Sequence, residues 1–344
     1  MRIGIVNDMP MIAEALRRTV THNGAHEVDW IAHDGLSAIA HCKIQKPDLI
    51  LLDLIMPGID GVEVTRQIMR HTPCPILLVT SSINSNMSLV FQALGEGALD
   101  AVDTPQLGGA NADSSATSLL NKIYQIERIV SDKHDIFGSS LSSSSAKQNS
   151  ANLVVMGASA GGPAALNTVL SGLKSNFDAA VLVVQHIDAE FVANLAKWLA
   201  LECQLPLRLA VDGECLKAGT VLLAGADGHL TITSDQRLRY IQEPRDSAYR
   251  PSVNVLFNSV CKHWNGNTAG VLLTGMGTDG AKGLKALRDK GCYTIAQDQA
   301  TSAIFGMPKA AVELDAAIDI LPLHEIAPNL NRFIIRQEIK IAKL

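Results

Sequence analysis

The sequence has no long hydrophobic run. None of its apolar stretches reaches the roughly 20 residues that a helix needs to cross a bilayer, so we expect no direct membrane insertion. The opening string Met-Arg-Ile-Gly-Ile-Val has the pattern of a β-strand rather than of a signal peptide. We therefore expect a cytoplasmic protein.

The sequence also has few cysteines and no excess of positive charge. Its six cysteines are scattered, with no Cys-x-x-Cys pair, which favours reduced structural thiols. The net charge of -5 argues against a nucleic-acid-binding surface. Hydrophobic residues make up 47% and charged residues 18%, as is typical of a globular protein.

The 344 residues are enough for two domains with separate cores. Composition changes sharply before residue 150, where a serine-rich stretch has almost nothing to bury. We therefore predict one domain over residues 1–128, a linker over 129–150 and a second domain over 151–344.

The first predicted domain alternates short apolar runs with helical patterns. The predicted strands cover residues 3–6, 28–32, 49–52, 76–79 and 101–102. Repeated βα units of this size predict an α/β fold with a doubly wound parallel sheet, whose sites lie at the carboxyl ends of the strands.

Polar residues follow three of these strands. Asp8, Asp53 and Thr80 should therefore lie at one edge of the sheet. Two carboxylates suit Mg²⁺, which commonly takes one or two carboxylates together with phosphate. The alternative is that these are ordinary turn residues at strand ends.

Three strings in this domain are similar to the receiver domain of two-component response regulators. They are Asn-Asp at 7–8, Asp-Leu-Ile-Met-Pro-Gly-Ile-Asp-Gly at 53–61 and Thr-Ser at 80–81. The resemblance implies a flavodoxin-like sheet in which Asp53 accepts the phosphoryl group. It also implies that Asp8 and Asp53 bind Mg²⁺ for phosphorylation and that Thr80 contacts the phosphoryl group.

The chain departs from the receiver pattern at three positions. Asn7 stands in place of an acid, Thr104 in place of a lysine, and Ala101 in place of an aromatic residue. A lysine would supply a charge-assisted contact to the phosphoryl group. We still expect phosphorylation at Asp53, with a changed readout.

The second predicted domain also alternates strands and helices, which predicts an α/β fold with a mainly parallel sheet. The predicted strands cover residues 153–156, 181–185, 221–223, 270–273 and 293–296. Ser159 lies in a glycine-flanked turn between a strand and a helix. Free N–H groups of the first helical turn there suit either a phosphate or an oxyanion.

His186 and Asp279 follow two other strands of this domain. With Ser159 they would form a nucleophile, a base and an orienting acid at one edge of the sheet. Alternatives stay open for each residue. Gly-x-Ser-x-x-Gly is close to a dinucleotide fingerprint, the histidine alone could be structural, and the aspartate alone could cap a helix.

Five strings of this domain resemble the catalytic domain of the CheB family of chemotaxis protein-glutamate methylesterases. They are Gly-Ala-Ser-Ala-Gly-Gly at 157–162, Gln-His at 185–186, Arg-Pro-Ser-Val-Asn-Val-Leu-Phe at 250–257, Thr-Gly-Met-Gly-Thr-Asp-Gly at 274–280 and Ala-Thr-Ser-Ala-Ile-Phe-Gly-Met-Pro-Lys at 300–309. The resemblance implies that Ser159, His186 and Asp279 form the triad. The unusual receiver strings are similar to the WspF-like branch of the family.

The resemblance also implies a substrate and partners. The substrate would be γ-glutamyl methyl esters on a methyl-accepting chemoreceptor, with glutamine deamidation as a second activity. A histidine kinase of the CheA type would phosphorylate the receiver, and hydrolysis would need no cofactor. Backbone N–H groups near Ala160 and Met276 are candidate oxyanion donors. The alternative function is a receiver linked to a nucleotide-binding or kinase-binding module without hydrolysis.

Overall fold

The computed structural model describes residues 1–22, 24–83, 85–105, 112–131, 152–225, 228–245, 247 and 249–341. The chain divides into two compact units, Met1–His134 and Asp135–Leu344. Most of the predicted linker over residues 129–150 lies outside the described residues, and the predicted boundaries stay predictions.

The first unit is a doubly wound α/β sheet with five parallel strands in the order β2-β1-β3-β4-β5. The strands are β1 (Arg2–Val6), β2 (Glu27–Ala32), β3 (Leu49–Asp53), β4 (Ile76–Thr80) and β5 (Asp100–Asp103). The helices are α1 (Pro10–Thr21), α2 (Gly35–Ile44), α3 (Gly61–His71), α4 (Met87–Gly95) and α5 (Ala112–Ser131). The predicted fold is confirmed, and each strand is one or two residues longer than predicted.

The second unit contains a parallel sheet of seven strands in the order β14-β13-β12-β6-β7-β9-β8. Its strands are β6 (Asn152–Ala158), β7 (Ala180–Gln185), β8 (Leu207–Leu209), β9 (Thr220–Leu223), β12 (Asn267–Leu272), β13 (Tyr293–Gln297) and β14 (Asp319–Leu321). The strands β10 (His229–Ile232) and β11 (Leu238–Ile241) form a separate antiparallel hairpin. The predicted α/β fold with a mainly parallel sheet is confirmed.

Six helices of the described residues accompany these strands. They are α6 (Gly162–Ser171), α7 (Ala189–Glu202), α8 (Val253–His263), α9 (Ala281–Asp289), α10 (Met307–Glu313) and α11 (Leu323–Ile341). In α6 the helix begins after Gly161, whose φ of 72° is a left-handed conformation that glycine adopts without strain. Pro163 then fits the first turn, where its missing N–H costs no hydrogen bond.

Four strands in the described part of the second unit were not predicted from the sequence. β8 and β14 are three-residue strands at the two edges of the large sheet, and neither contains a fully buried residue. The hairpin of β10 and β11 has strands of only four residues. Such short segments carry too few residues for a clear period of two.

The strand order places the switch point of the large sheet between β6 and β12. From β6 the chain builds outward through β7, and later it returns to the other side of β6 with β12. In open parallel sheets the crevice at such a switch point is where ligands bind. Ser159 follows β6 and Asp279 follows β12, so both lie at this crevice.

The centre of this sheet is deeply buried. Every residue of β6 and β7 is buried, which fits strands covered by helices on both faces. No helix among the described residues is long and apolar enough to cross a membrane.

Gly157 marks a close approach between β6 and the start of α8. A Cβ added at Gly157 would lie 2.3 Å from Cγ1 of Val253. We expect Gly157→Ala to lower the free energy of unfolding by about 1–3 kcal/mol through overpacking. Denaturant unfolding monitored by tryptophan fluorescence measures this change.

The matched control is Gly225→Ala, whose added Cβ meets nothing closer than 3.3 Å. A second change, Val253→Ala, makes room for the new methyl group and should restore part of the lost stability. Purely additive effects of Gly157→Ala and Val253→Ala would contradict this explanation.

Candidate active site

Ser159 lies in the tight turn between β6 and α6 and is 8% exposed. Its backbone N–H donates to the carbonyl of Thr274 at 3.0 Å. Its carbonyl accepts the N–H of Gly162 at 2.7 Å. The turn therefore holds the Ser159 backbone against the segment that follows β12.

His186 follows β7, the strand next to β6. Its backbone N–H donates to the carbonyl of Ala158 at 3.0 Å, so it lies beside the Ser159 turn. The Nε2 atom of its ring lies 2.9 Å from Oδ2 of Asp279. Its Nδ1 atom is buried and has no hydrogen-bond partner among the described residues. If Asp279 holds the proton on Nε2, Nδ1 is the nitrogen that can act as a base.

Asp279 is 8% exposed and accepts hydrogen bonds from one end of α8 as well as from His186. Its Oδ1 accepts the hydroxyl of Ser252 at 2.9 Å and the N–H of Asn254 at 3.1 Å. Its Oδ2 accepts the N–H of Val253 at 2.7 Å. A carboxylate at the N-terminus of a helix is favoured by these free N–H groups and by the helix dipole.

The net result for Asp279 is a lowered pKa. Burial acts to raise the pKa of its carboxyl, because the interior disfavours charge. The hydrogen bond and charge of His186, with the N–H groups of Asn254 and Val253, outweigh that effect. Asp279 is therefore charged at neutral pH and can stabilise an imidazolium on His186.

Sequence reasoning missed the role of Gln185. Its Nε2 donates to the carbonyl of Ser159 at 2.8 Å and to the carbonyl of His186 at 2.9 Å. One buried amide thus links the backbones of the two residues. The signal available in the sequence was the position of the Gln-His string at the end of an apolar strand.

Three further residues around the triad were also missed. Tyr249 stacks on His186, Ser252 bonds to Asp279, and the buried His229 accepts the backbone N–H of Ser252 at 3.0 Å. Two of them lie in or beside the Arg-Pro-Ser-Val-Asn string. The string was a signal of the family resemblance. The hydrophobic periodicity of the sequence gave no reason to place it next to Asp279.

The two candidate oxyanion donors lie near Ser159. A Cβ added at Gly275, next to Met276, would be 2.7 Å from the Cβ of Ser159. Among the described residues, neither the N–H of Ala160 nor that of Met276 donates to another residue. Within the described ranges, both N–H groups are thus unpaired and lie near the nucleophile candidate.

In the first unit, Asp53 ends β3 and its carboxyl is half-buried. Its Oδ2 accepts the side-chain amide of Asn7 at 2.8 Å. Burial raises the pKa of Asp53 to about 6, against the N–H groups of Ile55 and Leu54, and the charge of Asp8 raises it further. Asp8 and Asp53 thus lie close enough to repel each other.

Thr80 ends β4 and is buried. Its hydroxyl accepts the side-chain amide of Asn86 at 2.8 Å, and its carbonyl accepts the N–H of Thr104 at 2.8 Å. The strand order places Thr80 beside Asp53, because β3 and β4 are neighbours. The hydroxyl proton of Thr80 is not used in the bond from Asn86 and can be donated.

The oxygen donors of Asp8 and Asp53 fit a magnesium ion. Mg²⁺ prefers oxygen ligands and usually keeps several waters beside one or two carboxylates. A cation there would relieve both the burial of the Asp53 charge and its repulsion by Asp8. The described residues contain no group of three or more His, Cys, Asp or Glu that could hold a metal ion.

Comparison with known proteins covers both units. Residues 154–330 match CheB methylesterase, and residues 3–106 match the response regulator receiver domain. A Bordetella avium protein named protein-glutamate methylesterase/protein-glutamine glutaminase 1 is 52% identical over 332 residues, which cover 96% of this chain and 97% of that protein.

Two further comparisons agree with these matches. A Pseudomonas savastanoi pv. phaseolicola protein named protein-glutamate methylesterase/protein-glutamine glutaminase 3 is 51% identical over 332 residues, which cover 96% of this chain and 98% of that protein. The solved Thermotoga maritima CheB methylesterase catalytic domain is 34% identical and has a TM-score of 0.51. The match covers 54% of this chain and 100% of the Thermotoga maritima chain.

The raised pKa of Asp53 predicts that Mg²⁺ binding depends on pH. Below about pH 6 the carboxyl takes up a proton and loses the charge that attracts the ion. The affinity of the full chain for Mg²⁺ should therefore fall about tenfold between about pH 7.5 and about pH 5. Calorimetric titration with magnesium chloride measures it.

The matched control is Asp53→Asn, which cannot ionise and should bind Mg²⁺ weakly at both pH values. Equal affinity of the unaltered chain at both pH values would contradict the prediction.

Proposed function

This chain belongs to the CheB methylesterase family, and we propose that Ser159, His186 and Asp279 are its catalytic triad. The protein is a hydrolase, a protein-glutamate methylesterase and protein-glutamine glutaminase with a response regulator receiver domain. Its substrates are γ-glutamyl methyl esters, from which methanol is released, and glutamine side chains, from which ammonia is released.

The first half of the reaction forms an acyl-enzyme. The hydroxyl oxygen of Ser159 attacks the carbonyl carbon, and Nδ1 of His186 takes the hydroxyl proton. The charged carboxylate of Asp279 stabilises the imidazolium through Nε2. The bond to the leaving oxygen or nitrogen then breaks, and the leaving group takes the proton from Nδ1.

The second half releases glutamate. A water molecule gives its proton to Nδ1 of His186 while its oxygen attacks the acyl carbon. The ester bond to Ser159 breaks, and the proton returns to the serine oxygen. The N–H groups of Ala160 and Met276 stabilise the negative oxygen in both halves.

The observation that carries this proposal is the contact between His186 and Asp279. A buried carboxylate with a lowered pKa is bound to one ring nitrogen of His186, and the other nitrogen has no hydrogen-bond partner in the described part of the chain. A base needs this arrangement, whereas a nucleotide cradle has no use for it. It favours hydrolysis over a binding module without chemistry.

We extend the proposal to the receiver and its partners. A histidine kinase of the CheA type would supply the phosphoryl group to Asp53, with Mg²⁺ held by Asp8 and Asp53 neutralising its charge. The protein substrate would be a methyl-accepting chemoreceptor, reached from the cytoplasm. Membership of the WspF-like branch stays a prediction.

Substitutions in the triad test the hydrolase directly. Ser159→Ala and His186→Ala should each lower kcat by about four orders of magnitude or more, because the two groups act as one unit. Asp279→Asn should lower kcat by about 10³–10⁴-fold. Methanol release from methyl-labelled receptors, and labelling by a fluorophosphonate, measure these effects.

The matched control is Ser171→Ala, which removes a hydroxyl from the far end of α6 and should leave both measurements unchanged.

Asp279→Asn should also lower the free energy of unfolding by about 1–3 kcal/mol, because some of its donors lose their acceptor. Normal methanol release by Ser159→Ala would refute the proposed nucleophile.

A separate prediction concerns the receiver. Thr104 offers the phosphoryl group a neutral hydrogen bond at best, which is weaker than a charge-assisted one. Treatment with Mg²⁺ and a small phosphodonor should therefore raise the esterase rate only modestly. Thr104→Lys supplies the missing cation and should raise the phosphodonor-stimulated rate about three- to tenfold.

The control for this experiment is the double variant Asp53→Ala/Thr104→Lys, which should not respond to the phosphodonor. If Thr104→Lys leaves the stimulated rate unchanged while Asp53 is phosphorylated, the weak-readout explanation is wrong. Phosphorylation is measured by intact mass.

A further inference from the structure

The ring of His186 is held at one end by a hydrogen bond. Nε2 lies 2.9 Å from Oδ2 of Asp279, and Nδ1 has no hydrogen-bond partner among the described residues. This one hydrogen bond fixes the direction of Nε2. The plane of the ring can still tilt about the axis that joins Nε2 to the Asp279 carboxylate. Catalysis by Nδ1 depends on that tilt, because a misplacement of about 1 Å can cost about a hundredfold in rate.

Tyr249 packs against one face of the His186 ring. Its ring lies parallel to the His186 ring, with an interplanar angle of 1° and ring centroids 4.1 Å apart. A flat aromatic face covers one side of the imidazole. The same face favours the imidazolium that forms when the base accepts a proton, because the π-electrons attract a cation.

The segment that carries Tyr249 is itself attached to the triad. Three residues on, Ser252 donates its hydroxyl to Asp279 and its backbone N–H to Nδ1 of the buried His229. The carbonyl of Tyr249 accepts the hydroxyl of Ser247 at 2.9 Å. The base, its carboxylate and the stacked ring are thus tied to one segment.

Gly277 leaves room for the Tyr249 hydroxyl. A Cβ added at Gly277 would lie 3.2 Å from that hydroxyl oxygen, so the phenol extends over the turn that follows β12. Tyr249 thus spans from the imidazole face to the turn that carries Asp279. Its ring and its hydroxyl touch different groups, and their effects can be separated by substitution.

We propose that Tyr249 is a positioning residue for the base, a role that rests on the proposed triad. Its ring sets the plane of the His186 imidazole and thereby the position of Nδ1, the proposed base. It also stabilises the imidazolium as the proton is accepted. Tyr249 acts through His186 and takes no part in bond making or breaking.

The test uses the full chain and a fluorophosphonate probe, which needs the activated serine but not the chemoreceptor. Tyr249→Phe keeps the stacked ring and removes the hydroxyl, whereas Tyr249→Leu removes the ring. We expect the maximal labelling rate of Tyr249→Leu to fall about ten- to a hundredfold. The probe concentration at half-saturation should stay within about threefold of that of the unaltered chain. Tyr249→Phe should stay within about threefold of the unaltered chain in both quantities.

A spectroscopic readout tests the stack independently of activity. The ring protons of His186 should be shifted upfield by the facing ring in proton NMR spectra. The shift should persist in Tyr249→Phe and disappear in Tyr249→Leu. Tyr124→Leu, at an exposed tyrosine of α5, is the matched control and should change neither readout.

Three outcomes would overturn the positioning role. The first is an unchanged maximal labelling rate in a folded Tyr249→Leu protein. The second is an equal loss of that rate in the Phe and Leu variants. The third is a change in the probe concentration at half-saturation with no change in the maximal rate. If the Leu variant does not fold, Tyr249→Gln replaces it in the same comparison. Failure of the unaltered chain to label at Ser159 would instead refute the proposed function, and the NMR shift would still report whether the rings stack.

Discussion

The second unit depends on one buried charge, the carboxylate of Asp279. An isolated carboxylate in a protein interior is strongly disfavoured, because it loses its hydration. Asp279 offsets this loss with bonds from His186, the hydroxyl of Ser252 and two backbone N–H groups at the start of α8. The end of β12, the start of α8 and the residue after β7 must therefore meet at one point. Their meeting place lies beside Ser159.

The parallel sheet makes that meeting possible. Because β6 lies between β7 and β12, the residues that follow these three strands emerge at the same edge. The backbone bonds from His186 to Ala158 and from Ser159 to Thr274 join the three strand ends directly. These main-chain bonds fix the relative positions of the backbone segments that carry the polar side chains. Such preorganisation means that little rearrangement is needed when charge develops during a reaction.

Asp53 and Asp279 show how the surroundings of a carboxyl determine its chemistry. Burial acts to raise the pKa of both. Asp279 has a histidine and a helix N-terminus as compensation, so its pKa falls and it stays charged. Asp53 has fewer donors and the negative charge of Asp8 nearby, so its pKa rises to about 6. The first arrangement suits a permanent partner for a histidine. The second favours binding of a cation that offsets the negative charge.

The sequence by itself determined the α/β class, most central strands and the candidates Ser159, His186, Asp279 and Asp53. Those features depend on local patterns, since apolar runs predict strands and polar residues at strand ends predict a site. Only the tertiary structure revealed the edge strands β8 and β14, the stack of Tyr249 on His186 and the bonds of Ser252 and Gln185. Tyr249 and His186 are 63 positions apart, and Ser252 and Asp279 are 27 apart. Strand order and helix placement bring such residues together. The hydrophobic periodicity of the sequence predicts neither of them.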